Sequence, residues 1–138
     1  RVADNAVQDT NNYFMYIKGM ELSLPQDTTS VYVANNIFQG NNWCYLVRCH
    51  TNFWFYSDYN IVYNFRKYKG PSGTIIGTSH DITSDPLFMD DDLHIAPSSP
   101  AINSGAPSSL FPYMPDLDRA GAVRPQGVGA DIGADETD

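Results

Sequence analysis

Asn36-Ile37-Phe38 returns 24 positions later as Asn60-Ile61-Val62, and 24 positions earlier it stands as Asn12-Tyr13-Phe14. Each amide opens a short apolar or aromatic run. One further step reaches Ser84, just ahead of Asp85-Pro86-Leu87-Phe88. A repeat of roughly 20–50 residues marks stacked similar units, each burying its apolar face on the next. Side-chain amides in register can bond one to the next as a ladder. The spacing therefore predicts an all-β fold: a short right-handed parallel β-helix of three to four coils over residues 1–84. Asn12, Asn36 and Asn60 would form its structural ladder.

The surrounding sequence agrees with strands and not with helices. No stretch carries apolar residues at i, i+3, i+4 and i+7 over three turns. Short aromatic and β-branched runs are frequent: Tyr13 to Ile17, Val31 to Ala34, Ile37-Phe38, Trp43 to Val47, Phe53 to Tyr56, Ile61 to Tyr63 and Thr74 to Gly77. Pro25-Gln26-Asp27 and Gly40-Asn41-Asn42 read as turns. From Asp85 onward the chain holds most of its prolines. Proline cannot donate to a strand ladder, so residues 85–138 are expected to be an irregular, proline-rich C-terminal cap.

Several tail segments carry a resemblance. His80-Asp81-Ile82, Asp85-Pro86-Leu87-Phe88, Leu93-His94-Ile95 and Ser99-Pro100-Ala101-Ile102-Asn103-Ser104-Gly105 follow one another. The chain then closes with Asp116-Leu117-Asp118-Arg119-Ala120-Gly121, Arg124-Pro125 and Asp131-Ile132-Gly133-Ala134-Asp135-Glu136. This order resembles the C-terminal region of bacterial secreted right-handed parallel β-helix proteins, a group of surface proteins and polysaccharide lyases or hydrolases. Asn103 stands where that group has an acidic residue, and Asp135 where it has an aromatic one. The resemblance implies the fold, and it leaves the function open.

The bulk numbers exclude some functions. The chain has 138 residues, the size of one domain, with 42% hydrophobic and 17% charged residues. Acidic residues outnumber basic ones 16 to 8, for a net charge of −8. That argues against nucleic acid, whose backbone needs clustered Lys and Arg, and against docking on anionic membranes. No apolar run approaches the roughly 20 residues of a membrane span. The start at Arg1 reads as a mature or cleaved product, and the expected location is extracellular or at the cell surface. A stack of strands leaves unpaired edges at any uncapped end. The expected partners are therefore an upstream β-helix segment, another chain or further copies stacked end-on, with glycan as a ligand.

Candidate chemistry falls into four sets. Seven aromatics crowd residues 43–59, and strand alternation turns about half of such a set outward. Trp43, Trp54, Tyr56 and Tyr59 are the candidates for ligand or subunit contact. Asp90 and Asp92, with Asp116 and Asp118, offer hard oxygen ligands of the kind calcium takes, though without the spacing of a calcium loop. Cys44 and Cys49 with His50 spell a C-x4-C-H variant of the haem c attachment motif. An extended Cys44–Cys49 separation would be about 17 Å, so the pair needs a turn to act together. Asp58 with Asp81 or Asp85 is a conceivable carboxylate pair, and Arg66, Lys67 and Lys69 the one basic cluster a lyase would draw on. No cofactor is expected, with haem c or Ca2+ as alternatives.

The leading expectation is a non-catalytic C-terminal segment of a surface or filament-forming structural protein that contacts other subunits or glycans. The alternatives are the tail of a polysaccharide lyase or hydrolase, and a c-type haem electron carrier.

Overall fold

The computed structural model describes residues 13–17, 29–40, 45–49, 53–65, 74–77, 79–110 and 115–137. No helix occurs among them. Seven short strands do: β1 (Tyr13–Ile17), β2 (Thr29–Ala34), β3 (Ile37–Gln39), β4 (Tyr45–Cys49), β5 (Phe53–Asp58), β6 (Ile61–Tyr63) and β7 (Thr74–Gly77). All pairings between them are parallel: β1 with β4, β2 with β5 and β5 with β7, and β3 with β6.

The expected right-handed β-helix of three to four coils is not what these residues form. They make three separate small sheets of two, three and two strands, and only one sheet has a third strand. The reason lies in the spacing. A uniform coil needs one step throughout, and this chain has several. Thr29 pairs with Phe53 and Ile37 with Ile61, both at the step of the asparagines. The pairing of Tyr13 with Tyr45 takes a longer step, and that of Trp54 with Thr74 a shorter one. Beyond β6 the third sheet keeps a single bridge, Ile61 to Ile82. Pro86 follows close behind, and no strand is found between residues 79 and 110 or 115 and 137.

Two apolar clusters hold the described residues together. In one, Phe38 and Val62 lie buried as register partners, with Val33 and Phe65 against them. The other joins the strands to the tail: Ile61, Ile95, Ala101 and Ile132 are buried, and Ile37, Tyr63, Ile82, Phe88 and Ile102 pack around them. Ile61 and Ile132 are both fully buried. Burying an isoleucine is worth about 1.5–3 kcal/mol relative to leaving it exposed.

The tail is fixed by polar bonds instead of by a sheet. Asn35, at a left-handed φ of 57°, turns the chain from β2 to β3. Its side-chain oxygen accepts from the Ala106 amide at 2.6 Å, and its carbonyl from the Gly133 amide at 3.1 Å. Gly105 donates to the Ala130 carbonyl at 2.7 Å, and a Cβ there would lie 2.7 Å from that same oxygen. The buried Arg124 bonds Glu136 at 2.6 Å and donates to the carbonyls of Asp131 and Gly133. Asp131 accepts the amides of Asn103 and Thr137. Burial pushes the Asp131 carboxyl up, and those amides offset only part of the rise.

Candidate functional site

The site grows out of β5. Along a strand, successive side chains face opposite sides. Ser57 points inward and is buried, while Trp54 and Tyr56 share the outer face with Asp58. Tyr32 in β2 is the register partner of Tyr56. The two rings stack at 4.5 Å between centroids and 7° between planes. Trp54 leans on Tyr56 at 6.3 Å and 39°. Tyr32 remains 64% exposed and Trp54 42%. A row of large aromatics open to water on a sheet face is an uncommon surface, and its ordinary use is contact.

The same face ends in a clamped histidine. Asp58 accepts the His80 backbone amide on Oδ1 at 2.8 Å and faces the ring Nδ1 with Oδ2 at 2.9 Å. Tyr59, held at a left-handed φ of 57°, stacks its ring on the imidazole at 4.3 Å and 13°. The Ser79 hydroxyl lies 3.3 Å from Nδ1. The His80 side chain is 53% exposed. Desolvation raises the Asp58 carboxyl. Hydrogen bonds from the His80 side chain and backbone, its charge and the Tyr59 amide together outweigh that and hold it below the usual aspartate value. Asp58 and Ser79 both engage the ring through Nδ1 and not through Nε2.

Beneath this face runs a polar ladder. Asn60 Oδ1 accepts the backbone amide and the Nδ2 of Asn36 at 3.0 and 3.3 Å. Asp81 Oδ1 accepts the same two groups of Asn60 at 2.8 and 3.1 Å. Asp81 Oδ2 takes the Ser57 hydroxyl at 2.7 Å. The ladder continues from Asn60 to Asp81, at a step of 21. Asn12 lies outside the described residues.

Other expected residues have these places. Trp43, Cys44, His50, Arg66, Lys67 and Lys69 lie outside the described residues, and Cys49 ends β4 opposite Ile17. Asp90 clamps His94 as Asp58 clamps His80, with Oδ2 to Nδ1 at 2.7 Å. The Asp92 carbonyl accepts from Arg119. The Asp116 carbonyl accepts the Arg124 amide. Asp118 Oδ1 accepts the Ala122 amide at 2.7 Å, which with other backbone amides outweighs desolvation and holds its carboxyl low. Asp85 accepts the Leu87 amide at 2.9 Å, an Asx-type turn. The described residues contain no group of three or more His, Cys, Asp or Glu placed to hold a metal ion. They also include no helix long and apolar enough to cross a membrane.

Two members of the face were not singled out from sequence. Tyr32 stands one asparagine step before Tyr56, so the repeat itself pointed to it. His80 had no such signal, because the step to it from Asp58 is 22.

No protein-family model, curated protein or solved structure matches this chain. Function therefore has to be argued from the face itself.

Proposed function

We propose that this chain belongs to an extracellular surface or filament-type structural protein, and that it contacts glycans or neighbouring subunits through the face carrying Tyr32, Trp54 and Tyr56. The stack of Tyr32 on Tyr56, with Tyr32 and Trp54 open to solvent, is the observation that carries this reading. Flat rings offer large contact area at small conformational cost. The net charge of −8 supports a partner other than nucleic acid or an anionic membrane. The extracellular placement rests on the tail resemblance.

The test is a binding screen of the purified chain against immobilised polysaccharides, alongside its sedimentation behaviour. Retention on a glycan or self-association, lost in Tyr32→Ala and Trp54→Ala with the thermal transition kept, is the expected result. A monomer that binds no glycan, or binding indifferent to both substitutions, would overturn the reading.

A further inference from the structure

The aromatic row and the clamped histidine lie on one strand face, and together they define a ligand. Trp54, Tyr56 and Asp58 alternate along β5, so Trp54 and Asp58 are about 13 Å apart at the usual strand rise. One end of the face is flat and apolar. The other end is polar: the half-exposed imidazole of His80, with the Asp58 carboxylate behind it. The Ser79 hydroxyl lies beside them. Arg119 and Arg124 pair with Asp135 and Glu136 in the tail.

We propose that this face is a binding site for a neutral oligosaccharide, lying from the open ring of Tyr32 and Trp54 to the imidazole of His80. The proposal rests on the aromatic-face reading above and goes further by naming the ligand class and its polar anchor. Sugar C–H faces pack on the rings, and a hydroxyl, which can donate or accept, bonds the imidazole. The Tyr59 ring and the Asp58 carboxylate fix the imidazole in place, so little side-chain freedom is lost on binding. The length of the face favours several linked sugars over one. The Asp58 carboxylate and the net charge of −8 disfavour uronates, phosphates and sulfates.

Titration calorimetry of the intact chain with neutral gluco-, manno-, xylo- and galacto-oligosaccharides, from monosaccharide to hexasaccharide, tests this, with oligogalacturonate as the anionic probe. Affinity for at least one neutral series should rise about tenfold or more with length, and oligogalacturonate should bind about tenfold more weakly or not at all. His80→Ala should weaken the best ligand about three- to tenfold, and His80→Gln, which keeps a polar hydrogen-bonding group, should recover part of that. Circular dichroism checks that each variant is folded. If Tyr32→Ala abolishes binding while His80→Ala does not change it, the polar anchor is wrong and the aromatic reading survives. Equal affinity for oligogalacturonate, or no gain with length, overturns the ligand class. If no sugar binds and Tyr32→Ala dissolves a dimer, the face belongs to a second copy and the proposal falls.

Discussion

Asn60 passes its amide hydrogens to Asp81 and takes those of Asn36 on its oxygen. Its Nδ2 also lies within bonding distance of the Val33 and Asp58 carbonyls and the Ser57 hydroxyl. An amide both gives and receives, whereas an ionised carboxylate only receives. The series Asn36, Asn60, Asp81 therefore has a direction, and it stops at Asp81.

Asn60→Asp should be worse than a small polar change elsewhere. It removes the Nδ2 donor and sets one carboxylate beside another. The expected loss is about 3 kcal/mol at neutral pH, from unpaired buried partners and like-charge repulsion. Repulsion raises the carboxylate pKa in the fold, so the folded state binds the extra proton more readily. The deficit relative to the parent should therefore shrink as pH falls toward 4. Urea unfolding of both proteins at pH 7 and pH 4.5 reads this out, and an unchanged gap would refute it.

The strands were legible in the sequence, and their assembly was not. Runs such as Phe53 to Tyr56 and Ile61 to Tyr63 announce themselves through local aromatic and β-branched residues. How strands pair depends on the length of chain between them, and local composition does not report that. The link between Asn36 and Asn60 was visible because both are amides. Asp81 was hidden because the last position needs only an acceptor, and a shorter connection moved it three places off the expected step. The Tyr13–Tyr45 pairing, with a longer connection, breaks the period outright.

Asp58 should titrate below the usual 3.8 of an aspartate, and His80→Ala should bring it up. Without the imidazole and its charge, desolvation is left with less to oppose it. The sign for stability follows: a depressed carboxylate stabilises the fold above its unfolded pKa, and that contribution is lost as pH falls through the folded value. Carboxyl carbon shifts in an NMR titration from pH 7 to pH 2 would show it. An Asp58 midpoint that ignores His80→Ala would contradict the clamp.

The Tyr32–Tyr56 stack should show measurable coupling. Offset aromatic pairs contribute about 0.5–1.5 kcal/mol beyond their area burial. A double-mutant cycle with Tyr32→Ala and Tyr56→Ala should return a coupling of about 1 kcal/mol in chemical denaturation. Strict additivity would mean that the rings merely sit beside each other.

Arg124→Ala should be among the most damaging single changes in the tail. It leaves Glu136 buried without its cation, and uncovers the Asp131 and Gly133 carbonyls. Breaking such a buried pair costs about 3–5 kcal/mol. Arg124→Lys should recover little, because an ammonium cannot reach a carboxylate and two carbonyls with one flat fork. A lysine variant as stable as the parent would rule this out.

Gly105→Ala should also be costly, by about 1–3 kcal/mol. The added methyl would meet two backbone oxygens, of Ala130 and Asp131, at 2.7 and 2.9 Å. Neither can swing aside as a side chain would. A thermal midpoint unchanged in this variant would argue against the close approach of these segments.

The burial of Ile132 against Ile61 sets an order of events during synthesis. The middle of the chain is made first, yet its central isoleucine has no complete cover until the ribosome has delivered the closing segment around Ile132. Until then Ile61 and Ile95 lack the part of their cover that Ile132 supplies. A chain cut short upstream of that segment leaves this apolar cluster without one of its four buried members.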